Sequence, residues 1–382
     1  MRLLGWRWAV VVGLCLTLAA LPALAAALPA RDSQEGTDAQ DAAGLLTQVR
    51  RSAVVGWSGY GESRGSLVLP DVSQLADLPA LVGGTQRTRV WWRAAQDWRV
   101  DVLSLVGETD LLQDANGSWT WMSADRRATR IDGPLPVRLP TAADLVAPTL
   151  GRRLAGAAEL TASRIGARRV AGRITAGIRL TPDRPGATTV QAVDLWVDRA
   201  SGLALEVAVH AGGRIVLDAL LLDLRLGDPG ARRTVFLPPA DAQYTEVQAP
   251  DLVAQADRFA PFILPPTLAG AARTDQVAAL RPVAGVGTYG AGLASFAVVP
   301  LPRRLAGEVL GRLVPGPRGD ERLALGTPLL NALVGRSVED PGGGAYLLVG
   351  TVPAGVLTAA LDQLLADPPR LFTEPGLAGV AP

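Results

Sequence analysis

The chain has 382 residues, 48% of them hydrophobic and 19% charged, with a formal net charge of +1. Its 37 basic residues are all arginine, which excludes mechanisms built on a phosphate-loop, Schiff-base or acylation lysine. Those arginines are scattered among carboxylates and form no basic face, so nucleic acid is not an expected partner. The single cysteine, Cys15, leaves no internal disulfide and no thiolate metal site.

Residues 1–30 read as an export segment. Arg2 and Arg7 precede an uncharged run from Trp8 to Ala30, in which Ala23-Leu24-Ala25 suits signal peptidase. The run is also long enough to stay as a membrane anchor, and either outcome puts the chain outside the cytoplasm. Cys15 follows Leu14, where lipidation requires a small residue.

The polar stretch 31–41 reads as a linker. Ala42, Leu45, Leu46, Val49 and Ala53 then recur at helical spacing behind Asp41, predicting an amphipathic helix over 42–53. The period changes to two at 66–69, 89–93, 98–103 and 118–122, as in antiparallel strands. Asn116-Gly117 predicts a hairpin with positive φ in its turn. Thr141 to Asp144 opens like a capping box before a helical pattern that Pro148 must break or kink. Strands are expected again at 168–180, 188–198, 203–210 and 214–225. A short helical pattern at 251–259 leads to a Pro- and Gly-rich boundary at 261–273. The last part predicts strands at 293–299 and 345–349 and a helix from Pro353 to about Ala366.

The strings that suggest chemistry lack its context. Gly61-Glu62-Ser63-Arg64-Gly65 matches a hydrolase elbow, with the sole histidine, His210, downstream. A strand rather than a helix follows it, so a glycine-rich hairpin turn is the preferred reading. Gly285-Val286-Gly287-Thr288-Tyr289-Gly290 matches the dinucleotide fingerprint but also leads into a strand, and reads as a loop. His210 has no second ligand near it in sequence for a metal. Asp194 and Asp198 flank Trp196 on one strand face. Arg318-Gly319-Asp320 and Asn116-Gly117-Ser118 are short common strings without weight. No cofactor, metal site or enzymatic activity is expected.

The positive signal is aromatic. All seven tryptophans beyond the export segment, at 57, 91, 92, 98, 119, 121 and 196, lie in the first domain. Trp91 and Trp92 are adjacent in a strand and must face opposite sides. Trp57, Trp92, Trp98, Trp119, Trp121 and Trp196 are therefore the candidate lining of an apolar cavity in a curved sheet.

Two passages carry a family resemblance. Val193 through Glu206, with Trp196-Val197-Asp198 turning at Gly202, resembles the strand–turn–strand of LolA-type lipoprotein carriers, and Trp91 through Asp101 resembles their earlier strands. Tyr289 through Val298 and Tyr346 through Pro353 resemble the C-terminal domain of RseB/MucB regulators, with Ala291 where that family usually has Asp. The resemblance implies an α+β fold: an antiparallel, half-open β-barrel with a helical cap, followed by a smaller C-terminal α/β domain. The corresponding boundaries are 1–30 for the export segment, 31–41 linker, 42–262 barrel domain, 263–284 linker, 285–370 small domain and 371–382 tail. It further implies an acyl lipid or lipoprotein as ligand and a membrane-bound anti-sigma factor as partner, the chain modulating envelope-stress signalling. The alternative is a LolA-like carrier of lipids or lipoproteins with no regulatory role. Whether the chain forms a homodimer is left open.

Overall fold

The computed structural model describes residues 35–65, 83–105, 107–133, 141–248, 262–274, 286–301, 311–316, 320–337 and 345–371. The export segment, the strand expected at 66–69, the helix expected at 251–259 and Arg318-Gly319 lie outside them. The chain divides into two units, the larger comprising Ala23–Pro185 and Val190–Pro250, the smaller Asp251–Pro382 together with Gly186–Thr189.

The larger unit is built on one 12-stranded sheet. In chain order its strands are β1 Trp57–Gly65, β2 Thr85–Ala94, β3 Asp97–Leu103, β4 Glu108–Gln113, β5 Gly117–Met122, β6 Arg127–Asp132, β7 Leu160–Val170, β8 Arg173–Pro182, β9 Val190–Asp198, β10 Ala204–Ala211, β11 Arg214–Leu226 and β12 Gln243–Gln248. The order across the sheet is β12-β6-β5-β4-β3-β2-β1-β11-β10-β9-β8-β7. Pairing is antiparallel except for β12, which lies parallel to β6. The sheet is open, with β7 and β12 as its two edges among the described residues.

Helix α1, Glu35–Arg51, packs on β7, and α2, Ala147–Ala155, packs on β10. Helix thus begins inside the stretch expected to be linker. Thr141 does open a capping turn, its N–H donating to Asp144 Oδ2 at 2.8 Å. The helix it starts is only a 3₁₀ turn, Ala142–Leu145; the chain is extended at Val146, and Pro148 then sits in the first turn of α2.

Three local readings are corrected. Gly61 through Gly65 is the second half of a strand paired on both sides, not a turn. The glycines of β1 permit close approach: a Cβ on Gly59 would lie 2.4 Å from the carbonyl oxygen of Asp223 on the neighbouring strand. The hairpin at Asn116-Gly117 is present, but neither residue has positive φ. Asp114 Oδ1 shapes that turn instead, accepting from the N–H groups of Asn116 and Gly117 at 2.8 and 2.9 Å. The strand expected at 168–180 is two strands, joined by a turn in which Ala171 and Gly172 take φ of 49° and 74°.

In the smaller unit β13 Phe262–Ile263, β14 Thr267–Leu268 and β15 Ala271–Ala272 are short. They are followed by β16 Gly287–Ala291, β17 Ala294–Leu301, β18 Val314–Pro315, β19 Asp320–Gly326, β20 Asn331–Ser337, β21 Ala345–Gly350, helix α3 Ala354–Ala366 and β22 Arg370–Leu371. β16 to β21 form a six-stranded sheet in the order β16-β17-β21-β20-β19-β18, antiparallel throughout. Pro353 caps α3, whose Leu357, Ala360, Leu361 and Leu364 pack with Tyr289, Phe296, Leu333 and Leu348. Leu264 and Leu268 belong to that same core, so the first part of the stretch expected to be linker, 263–284, is folded. The glycine string ending at Gly290 runs into β16, a strand rather than a loop, and β17 follows it where a dinucleotide site would need a helix.

Candidate functional site: the helix-covered face of the large sheet

Cross-strand partners share a face, so the register divides the tryptophans. Trp57 pairs with Trp92, and Trp92 with Trp98. These three share a core with Val90, Val100, Val146, Leu203, Leu205 and Leu221 on the face covered by the helical segment. Trp91 pairs with Arg99, Trp119 with Arg130 and Trp121 with Ala128, on the opposite face; Trp196 pairs with Glu206, yet its side chain packs against the Trp57–Trp92 core. Of the six candidate lining residues, Trp57, Trp92, Trp98 and Trp196 thus meet at one core, while Trp119 and Trp121 stand on the other face. Sequence reasoning placed Trp91 and Trp92 on opposite sides; it could not know to which face strands further along would add their indoles.

On the covered face Trp57 is fully buried, and Trp92 stacks on Trp98 with 6.3 Å between ring centroids. The Trp92 indole N–H donates to the carbonyl of Ala53 at 3.0 Å. The Trp57 indole Nε1 is buried and has no hydrogen-bond partner. Arg152 of α2 lies over the Trp92 ring, 4.4 Å from its centroid, and reaches Thr149 Oγ1 at 3.4 Å. Its Nη1 is buried without a partner. Burial, and then repulsion from Arg153, push its pKa down to about 10. The adjacent Arg153 has a carboxylate, Asp144 Oδ1 at 2.7 Å; Arg152 has none among the described residues. A shallow crevice too small to hold a water molecule lies on the same face between Gly61, Thr88, Val146 and Leu221.

The opposite face is polar and ion-paired. Arg179 and His210 converge on Asp194, and Arg173 binds Asp198. Guanidinium groups lie over indoles: Arg168 over Trp196 at 4.0 Å, Arg130 over Trp119 at 5.0 Å and Arg99 over Trp91 at 5.4 Å. Phe236 packs against both Trp119 and Trp121, and Tyr244 against Trp119. Ser63 pairs with Ala219, which pairs with Val207 and so with Leu195. That puts Ser63 on the covered face, away from Asp194 and its partner His210, and the pair needed by a hydrolase is not assembled.

One cluster was not foreseen. Carboxylate oxygens of Asp101, Glu108 and Asp110 lie within 4.8 Å of one another, around Arg99, which bonds Asp101 at 2.5 Å and Asp110 at 2.7 Å. Burial pushes Asp101 up to about 6; burial and the charge of Asp101 push Asp110 up to about 7. The available signal was register: Asp101 and Asp110 are cross-strand partners in the β3–β4 hairpin.

No family model matches the chain, and no curated protein matches it in sequence. Among solved structures, it is similar to that of the Pseudomonas aeruginosa MucA/MucB complex at 20% identity, covering 84% of this chain and 97% of that one, with a TM-score of 0.47. A crystal structure of MucB in complex with MucA(peri) is 22% identical over 85% of this chain and 97% of that one, TM-score 0.44. A LolA superfamily protein from Nitrosomonas europaea is 14% identical over 51% of this chain and 97% of that one, TM-score 0.25.

Proposed function

We propose that the chain is an exported, non-catalytic acyl-binding protein of RseB/MucB type, which takes a lipid or lipoprotein acyl chain on the helix-covered face and acts on a membrane-bound anti-sigma factor. The observation that carries the ligand half is the covered face itself: Trp57, Trp92 and Trp98 lie beneath a short, broken helical segment, with a crevice beside them. Burying acyl methylenes there is worth about 0.8 kcal/mol each. The crevice as it stands has no room for even a water molecule, so the chain enters by parting α2 from the sheet. The break at Val146 supplies a place to bend.

The partner half rests on the sequence passages. Val193 through Glu206 forms β9, a turn with Gly202 at φ 71°, and β10. Tyr289 through Val298 forms the β16–β17 hairpin, and Tyr346 through Pro353 runs from β21 to the cap of α3. Export follows from residues 1–30, and no helix among the described residues is long and apolar enough to cross a membrane.

The test is a pull-down of the exported protein from detergent-solubilised membranes of its own organism, identifying bound proteins and lipids together. An anti-sigma factor with co-purified lipid is the expected result. Lipid or lipoprotein without that partner makes the chain a carrier, and recovery of neither lipid nor partner overturns the proposal.

A further inference from the structure

Two buried donor atoms belong to residues in contact with Trp92, and neither atom has an acceptor. One is Nε1 of its strand partner Trp57, unpaired in a side chain with no exposed surface. Over the Trp92 ring lies the guanidinium of Arg152, its Nη1 buried and unpaired. Buried polar groups are almost always satisfied, and an unpaired donor on a cation is a costly exception; in Arg152, which is partly exposed as a whole, the unpaired buried atom is Nη1. Stacking on Trp92 and the long contact to Thr149 offset only part of that cost. The neighbouring Arg153 shows that a carboxylate is available to an arginine on this helix, yet Arg152 is left without one. A fold retains such a donor pair when something else supplies the acceptor.

Position specifies what that acceptor is attached to. Thr88 borders the crevice, and Trp92 lies four residues further along the same face of β2, roughly 13 Å at strand rise. Between them Val90 is packed in the apolar core. A ligand that satisfies both ends carries its negative charge at Arg152 and Trp57 and lays an apolar chain toward the crevice.

We propose that Arg152 and Trp57 are the headgroup end of the acyl site, and that the ligand is a single-chain anionic amphiphile with a carboxylate or phosphate monoester head. This rests on the acyl-binding reading above and adds to it the sign of the charge and the residues that read it. Arg152 supplies the charge and a buried N–H, and Trp57 supplies a second N–H. Arg152 is thus kept for binding at the expense of stability in the empty protein.

The experiment uses the full chain in the form its export yields. Isothermal titration calorimetry is run with dodecanoate, dodecyl phosphate, the uncharged dodecyl glucoside and inorganic phosphate, on the wild type and on Arg152→Gln, Arg152→Lys and Trp57→Phe. Both anionic amphiphiles should bind at least tenfold tighter than the glucoside, with inorganic phosphate silent. Arg152→Gln should erase that preference while unfolding at the same temperature as wild type or higher. Arg152→Lys should keep most of the preference, and Trp57→Phe should weaken anion binding severalfold. Glucoside binding equal to that of the anions and insensitive to Arg152→Gln overturns the proposal and leaves the acyl reading standing. Inorganic phosphate binding as tightly as dodecyl phosphate overturns it in favour of a plain anion site. Binding of none of the amphiphiles removes the acyl reading and this inference with it. A fall in melting temperature of Arg152→Gln with anion preference intact makes Arg152 structural and also overturns it.

Discussion

Arg179 holds Asp194 by two parallel bonds, Nε to Oδ1 at 2.6 Å and Nη2 to Oδ2 at 2.7 Å. Asp194 Oδ2 also lies 3.1 Å from His210 Nε2. Burial works to raise the carboxyl's pKa, but the bonds from Arg179 and His210 outweigh it and lower it below its ordinary 3.8. Asp194 is 7% exposed, so removing its charge strands a half-buried guanidinium. Asp194→Asn should cost about 3 kcal/mol, read as a lower urea midpoint at unchanged slope. Because the folded pKa is depressed, this contribution is present above the ordinary value and lost as pH falls below it. The loss on substitution should therefore shrink in acid.

The Asp101–Asp110 pair predicts the opposite dependence. Their pKa values are raised to about 6 and about 7, so the stability they contribute is full below the ordinary value and lost as pH rises through 6 to 7. Chemical denaturation should show the protein less stable at pH 8 than at pH 5. Asp110→Asn, a mimic of the protonated acid, should flatten that slope and stabilise at pH 8 by about 1–3 kcal/mol.

Gly117 should tolerate no side chain. A Cβ there would lie 2.1 Å from the carbonyl oxygen of Ile131 in the adjoining strand β6. Gly117→Ala should destabilise by about 2 kcal/mol or more through forced separation of β5 and β6, measured by thermal unfolding. Equal stability would mean that the two strands shift apart at no cost.

In the smaller unit Leu361 is fully buried, with a methyl 2.4 Å from where a Cβ on Gly335 would stand. Leu361→Ala should cost about 2–5 kcal/mol, and hydrogen exchange should show the loss in α3 and β20. Gly335→Ala should destabilise as well; together with Leu361→Ala it should recover part of the loss, since the new methyl enters the vacated space.

The sequence was most legible where period and turn chemistry agreed. The β2–β3 strands, the β4–β5 hairpin and α3 stand close to where alternation and helical spacing predicted them. It misled where a residue served a purpose its type does not announce. The glycines of β1 look like turn residues but are there because a neighbouring backbone comes close. Ala171 at positive φ hides the β7–β8 turn, because alanine gives no turn signal. The adjacency of Trp91 and Trp92 forced them onto opposite faces, but assigning Trp119 and Trp121 required the cross-strand register. Arg152 was invisible because nothing in a helical arginine pair tells which member has a carboxylate in reach.

The division of the tryptophans also gives the protein two kinds of light emitter. Trp57 and Trp92 lie in a dry core, while Trp91, Trp98, Trp119, Trp121 and Trp196 are each partly exposed. A collisional quencher such as acrylamide will darken the second set and spare the first. Blue-edge emission then reports events at the Trp57–Trp92 core beneath the helices, so unlabelled protein can show when a ligand has reached that core.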